Sequence, residues 1–184
     1  MHYLITGGTG FIGSALIDAL VADDHQVTVT TRQRLADKAR CRYVSTPEDV
    51  PSGARFDAVI NLAGASLAGK RWSQRYKQEI IASRLDTTRQ LVALLGRLEH
   101  KPRSLLSASA IGYYGHHGDE MLTEDGAGNP GFSRSLCLDW EAEALAAADL
   151  GSRVCLLRYG VVLDRDGGAP VEMARPFPFG VANW

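Results

Sequence analysis

The chain has 184 residues, 45% of them hydrophobic and 22% charged, with 20 Lys and Arg against 21 Asp and Glu for a formal net charge of −1. So even a balance creates no field that would draw nucleic acid, and the composition is that of a globular chain able to bury one sizeable core. No apolar run reaches the roughly 18 residues a membrane span needs, and Cys41, Cys137 and Cys155 form no CxxC pair, so neither a disulfide framework nor a zinc site is expected.

In chain order, short β-branched runs alternate with helical periodicity. A strand is predicted over 2–6, then a helix over 11–22 with Phe11, Ala15, Ala19 and Ala22 on one stripe and Ile12 and Leu16 beside it. Strands follow over 26–31, 41–44 and 58–62, then a helix over 83–98 carrying Leu85, Leu91, Val92, Leu94 and Leu95. A strand over 104–108, a helix over 132–150 with Phe132, Leu136, Trp140 and Leu145, a stop at Gly151 and a strand over 152–159 complete the pattern. Such alternation predicts an α/β fold with a mostly parallel, doubly wound sheet covered by helices on both faces. Beyond Asp164 the character changes, with Gly167, Gly168, Pro170, Pro176, Pro178 and Gly180 crowded together and no period. With a strand predicted from the second residue no targeting segment is expected, and the three cysteines without a pairing pattern lead to the expectation of a cytoplasmic location.

The first strand runs into Thr6-Gly7-Gly8-Thr9-Gly10-Phe11-Ile12-Gly13 and then a helix, the place for a phosphate-binding turn. Two registers fit, Gly8-x-Gly10-x-x-Gly13 and Gly7-x-x-Gly10-x-x-Gly13, the second being the spacing of extended short-chain dehydrogenases. Ser14 stands where a Walker lysine would follow Gly13, which excludes that loop. A nicotinamide dinucleotide is the expected ligand, its pyrophosphate on the helix N-terminus. At the end of the second strand, where an NAD site places Asp or Glu on the ribose hydroxyls, the chain reads Val29-Thr30-Thr31-Arg32-Gln33-Arg34. Thr31 and Arg32 suit a 2′-phosphate, so NADP is favoured over NAD.

The glycine turn, the segment VINLAG (59–64), LLSASAIGYYG (105–115) and LLRYGVVL (156–163) together resemble the extended short-chain dehydrogenase/reductase superfamily. More narrowly, Lys70-Arg71-Trp72, Ser83-Arg84, Gly112-Tyr113-Tyr114-Gly115, Cys137 and Trp140-Glu141 resemble its atypical "epimerase family protein" branch, related to nucleotide-sugar epimerases and sometimes described as a cell-division inhibitor. The resemblance implies a Rossmann-type domain in which Gly7, Gly10 and Gly13 with Phe11 and Ile12 cradle the pyrophosphate. Thr31 and Arg32 would take the ribose and its phosphate, and Leu62, Ala63 and Gly64 would line the cofactor. Glu79 or Arg84 would reach a ribose or phosphate, with Arg84 the better charge, and the backbone from Gly160 to Val162 would meet the nicotinamide end.

Active members of the superfamily move protons with a Ser or Thr after the fifth strand and a Tyr-x-x-x-Lys on the next helix, the lysine lowering the tyrosine pKa. Ser109 matches the first; Ser133 and Cys137 stand in the tyrosine and lysine positions. Tyr113 or Tyr114, with Lys70 or Lys77 as charge partner, could supply a phenol instead, or the two rings could pack over the nicotinamide as apolar wall. Cys137 reads as a small core residue, and His116 and His117, with Asp119 and Glu120, as a solvated loop without a metal.

The superfamily's substrate lobe follows the point where this sequence stops. The expectation is a dinucleotide domain over 1–164, the start of a mostly missing substrate lobe over 165–184, and an exposed apolar face that favours self-association. Two functions remain open: an NADP-dependent epimerase-like oxidoreductase acting on an unknown small molecule, and a non-catalytic NADP-binding or sensing module.

Overall fold

The computed structural model describes residues 1–67, 69–164 and 167–168. Six parallel strands form one sheet: β1 (His2–Thr6), β2 (Gln26–Thr30), β3 (Cys41–Val44), β4 (Ala58–Asn61), β5 (Ser104–Ala110) and β6 (Arg153–Tyr159). Their order is β3-β2-β1-β4-β5-β6. Strand order therefore reverses between β1 and β4, and in an open parallel sheet the crevice for a ligand lies at the carboxyl ends of the strands flanking that reversal. The two-residue strands β7 (Leu163–Asp164) and β8 (Gly167–Gly168) pair antiparallel outside the sheet. The remainder of the 165–184 segment expected to open a second lobe lies outside the described residues.

Helices cover the sheet in two layers. On one face α1 (Phe11–Ala22) packs Ile17, Leu16, Leu20 and Val21 on Ile5, Val27, Val29 and Ile60. On the other, α2 (Gln74–Arg97) and α3 (Phe132–Leu145) bury Leu91, Leu94, Leu95 and Ala144 with Leu4, Val59 and Leu105. Adjacent residues of β1 and of β4 thus enter opposite cores, the period of two that a sheet buried on both sides requires.

Three expectations need correction. The stripe of Phe11, Ala15, Ala19 and Ala22 faces outward, Phe11 being 39% exposed, while Gly13 and Ile17 form the buried line. This helix is apolar almost all round, so periodicity alone does not choose a face; the larger Leu16, Ile17, Leu20 and Val21 bury more area than three alanines. α2 begins nine residues before the expected start, because the Ser73 hydroxyl caps it by accepting from the Tyr76 amide at 3.2 Å and because Tyr76 and Ile80 extend its buried face. α3 gives way to a 3-10 turn over Ala146–Leu150, which Gly151 ends in the left-handed region at φ 89°.

Candidate functional site

The crossover from β1 to α1 is a tight turn built on its glycines. Gly7 has φ +70°, and a Cβ there would lie 2.4 Å from the Leu62 carbonyl oxygen at the end of β4. A Cβ on Gly13 would lie 2.4 Å from the Gly7 oxygen, so the first turn of the helix seats directly on the loop. Gly10, whose amide donates to the Gly7 oxygen at 3.0 Å, caps α1 without a side chain. The amides of Phe11, Ile12 and Gly13 precede the first hydrogen bond within α1, from Ser14 N to Gly10 O at 2.9 Å, and no acidic residue stands in that turn.

Above this turn, at the point where strand order reverses, lies a cleft of about 460 Å3. Of the residues the sequence nominates for the cofactor, Gly7, Gly10, Thr31, Arg32, Leu62, Ala63 and Gly64 line it. Thr31 is buried, accepting from the Gln33 amide at 3.2 Å, while Arg32 is exposed. Thr6, Thr9, Ser45, Thr46, Pro47, Ser83, Thr87 and Gln90 also contribute, and sequence reasoning missed them. Ser83, Thr87 and Gln90 repeat at helical spacing, a small polar face on α2 that periodicity could have exposed. Among the described residues no Asp or Glu lines the cleft, and Arg32 is the one charged wall residue. These features fit a dinucleotide: backbone donors at a helix N-terminus, Gly10 lining the cleft without a side chain and a cation at the β2 end.

Glu79 is not brought to the cleft. It is exposed and paired with Lys70 at 3.1 Å. Arg84 is 9% exposed and does not line the cleft; it lies against Gly64 from the side of α2, and burial lowers its pKa. Val162 follows β6 and is exposed.

The end of the sheet at β5 and β6 is organised differently. Ser109, 3% exposed, donates to Glu141 Oε1 at 2.5 Å, and Glu141, 6% exposed, is gripped by Arg158 through Nε at 2.8 Å and Nη2 at 2.9 Å. Arg158 Nη1 reaches the Tyr114 hydroxyl at 3.0 Å and the Glu124 carbonyl at 2.8 Å, and its guanidinium stacks 3.4 Å from the centre of the Tyr113 ring. The paired carboxylate raises the Arg158 pKa, so this cation is permanent. Ser109, Tyr113 and Tyr114 are thus brought together, but through Glu141 and Arg158, which the sequence reading passed over as a signature and a strand residue. The expected lysine partners are elsewhere: Lys70 on Glu79, and Lys77 5.0 Å over the Phe132 ring.

Ser133 and Cys137 occupy the face of α3 turned to the β5 exit, where a Cβ on Gly112 would lie 3.0 Å from Ser133 Cβ and 3.8 Å from Cys137 Sγ. Cys137 is buried, its thiol 3.7 Å from the Ala110 carbonyl oxygen, and burial pushes its pKa up. Ser133 also lines a second hollow of about 450 Å3, with Gly112, His116, Phe132 and Arg134 among its walls. His117 holds Glu120 at 2.8 Å and the Tyr114 carbonyl at 2.9 Å. Among the described residues no group of three or more His, Cys, Asp or Glu is placed to hold a metal ion, and no helix is long and apolar enough to cross a membrane.

Comparison with known proteins agrees with this architecture. Residues 3–165 match the family model of the NAD-dependent epimerase/dehydratase family. An epimerase family protein of Staphylococcus saprophyticus is 41% identical over 185 residues, covering 97% of this chain and 61% of the relative. The crystal structure of a human epimerase family protein (isoform 2) with NADPH superposes with a TM-score of 0.83 at 33% identity, over 98% of this chain and 60% of that one. A nucleoside-diphosphate sugar epimerase from Corynebacterium glutamicum superposes with a TM-score of 0.78 at 32% identity, over 96% of this chain and 37% of that one. The chain spans about three fifths of the length of the curated relatives it matches. It belongs to the NAD-dependent epimerase/dehydratase family.

Proposed function

We propose that the chain binds a nicotinamide dinucleotide, with NADP preferred, as the cofactor domain of an epimerase- or dehydratase-like oxidoreductase acting on a small molecule. The cleft carries this reading: its glycine turn leaves α1 amides free, and among the described residues its wall holds Arg32 and no carboxylate. An NAD-selective site needs an acid on the ribose hydroxyls, and the same acid would repel a 2′-phosphate. The human relative crystallised with NADPH supports the same choice.

In this reading the pyrophosphate lies on the Phe11, Ile12 and Gly13 amides between Gly7 and Gly10. The adenosine phosphate meets Thr31 and Arg32, and Leu62, Ala63 and Gly64 flank the chain of the cofactor toward β5. The bound nicotinamide would supply a hydride acceptor or donor at an alcohol or carbonyl carbon. Ser109, Tyr113 and Tyr114 stand nearest that chemistry by sequence, and Tyr113 alone among them has a hydroxyl without a hydrogen bond to any described residue.

Fluorescence titration with NADPH and NADH tests the reading. Arg32→Ala is expected to weaken NADPH roughly ten- to hundredfold, the loss of charge-assisted hydrogen bonds, and to leave NADH unchanged. Equal affinity for both nucleotides in the unaltered chain would remove the NADP preference, and no binding of either would remove the reading.

One observation favours a second reading, a non-catalytic NADP-binding module. Ser109 is buried with its proton committed to Glu141, and the neutral thiol of Cys137 stands in the lysine position. NADPH bound tightly but never oxidised by a panel of aldehydes and ketones supports the module; stoichiometric oxidation in a single turnover supports the enzyme.

A further inference from the structure

A guanidinium nine-tenths buried needs its charge balanced or its donors satisfied. Arg84 makes no ion pair among the described residues. Its Nη1 donates to the Ile80 carbonyl at 3.1 Å, one turn back on α2, and its Nη2 donates to the Ala65 carbonyl at 3.1 Å. One face of the group lies on Gly64, where a Cβ would come within 3.0 Å of Cζ, 3.1 Å of Nη2 and 3.3 Å of Nε. The Trp140 ring of α3 is 5.2 Å away. The preceding residue completes the grip: the Ala65 amide donates to Ser83 Oγ at 2.9 Å. Consecutive residues of α2 thus hold both polar groups of Ala65, and Gly64 and Ala65 are walls of the dinucleotide cleft.

We propose that Arg84 is a positioning residue: by clamping Gly64 and Ala65 onto α2 and Trp140 it sets the wall of the dinucleotide cleft, without being a ligand of the phosphates. The inference rests on the NADP reading for its consequence and on the clamp itself for its geometry. A planar group packed on a glycine with an indole 5.2 Å away, donating from two nitrogens, is work for which lysine has neither the shape nor the fork. The glycine ending Asn61-Leu62-Ala63-Gly64 is then required by the arginine behind it.

A direct phosphate ligand and a clamp differ in three measurable ways. Arg84→Lys keeps the charge, so a ligand role would retain most of the NADPH affinity, whereas the clamp loses about tenfold, the value of one charge-assisted hydrogen bond. An exposed cation on a phosphate is screened by salt, so removing it flattens the salt dependence of binding. Arg32→Ala should flatten it; Arg84→Gln, which removes the charge, should leave the slope as it was. Gly64→Ala attacks the same contact from the other side, so its effect and that of Arg84→Lys should be non-additive in the double variant.

The experiment is NADPH titration of the chain and these variants at low and high salt, with the exchange rate of the Ala65 amide followed by NMR in the absence of nucleotide. Expected are a tenfold weaker Kd, an unchanged salt slope and an Ala65 amide that exchanges about tenfold faster, because its local opening is easier. Arg84→Lys with wild-type affinity, or Arg84→Gln with a flattened salt slope, would overturn the clamp and make Arg84 a phosphate ligand. Should the wild-type chain bind no dinucleotide, the NADP reading fails by itself, and Ala65 exchange unchanged in both Arg84→Lys and Gly64→Ala would still overturn the clamp.

Discussion

The two ends of the sheet's carboxyl edge solve opposite problems. At β1, β2 and β4 the polar groups are mostly backbone amides and small hydroxyls, and the first turn of α1 keeps its donors free. At β5 and β6 the polar groups are long charged side chains, and Ser109, Glu141, Arg158 and Tyr114 satisfy one another. The first end has donors to offer the proposed ligand; the second, the Tyr113 hydroxyl excepted, spends its hydrogen bonds on holding itself together. The strands are alike, so the difference lies in the connections that leave them: a glycine turn after β1, and after β5 a loop whose tyrosines are tied to α3 and β6.

The largest expected effect comes from breaking the self-satisfied end. Glu141→Leu leaves Arg158 without its counter-charge and Ser109 without its acceptor in a buried place, which should cost about 3 kcal/mol of stability, read from urea unfolding. NADPH affinity per folded molecule should stay within about threefold, since none of these residues lines the cleft. A large loss of affinity would show that the two ends are coupled. Gly13→Ala should act in reverse: a Cβ 2.4 Å from the Gly7 oxygen and 2.6 Å from Gly8 Cα forces backbone apart, at about 2 kcal/mol, and NADPH binding should fall more steeply than stability. Tyr114→Phe is smaller, about 1 kcal/mol, because it removes one hydroxyl from Arg158 while the Glu124 carbonyl still serves the same nitrogen. Equal losses for Tyr114→Phe and Glu141→Leu would mean the phenol, not the carboxylate, anchors the network.

Legibility in the sequence divides along the same line. The six strands and the glycine turn were legible because a parallel strand buried on both sides is an apolar run, and a tight turn needs Gly7 and Gly13 by steric necessity alone. Such demands are local. The first turns of α2 were hidden because Lys, Arg, Gln and Glu surround Tyr76 and Ile80. Likewise Glu141 and Arg158 lie 17 residues apart on a helix and a strand, and only the fold brings them to 2.8 Å. Their partnership leaves no pattern in one sequence. Arg84 shows the same limit: its charge on the helix after β4 suggested a ribose or phosphate ligand, and its contacts with Gly64, Ala65 and Trp140, on which the proposed clamp rests, appear only in the fold.

The smallest effect concerns Cys137, in the position where an active relative would carry lysine. Burial raises its pKa, so the folded state favours the neutral thiol. For an acid whose folded pKa lies above its unfolded value, the stabilisation is fully present below the unfolded pKa, here 9.0, and is lost as pH rises beyond it. Tyr159, raised by burial, and Tyr43, raised to about 12 chiefly by the neighbouring Cys41 side chain, add slopes of the same sign that begin near 10.0. The difference between wild type and Cys137→Ala isolates the thiol: the wild-type stability curve should bend downward first, just above pH 9, and the variant should not. At neutral pH iodoacetamide should modify the half-buried Cys155 well before Cys137, which reacts only as the chain opens. Rapid alkylation of Cys137 in the folded protein would reverse the comparison, because a thiolate beside Ser109 would give the β5 end a nucleophile of its own and make it the chemically poised half of the molecule.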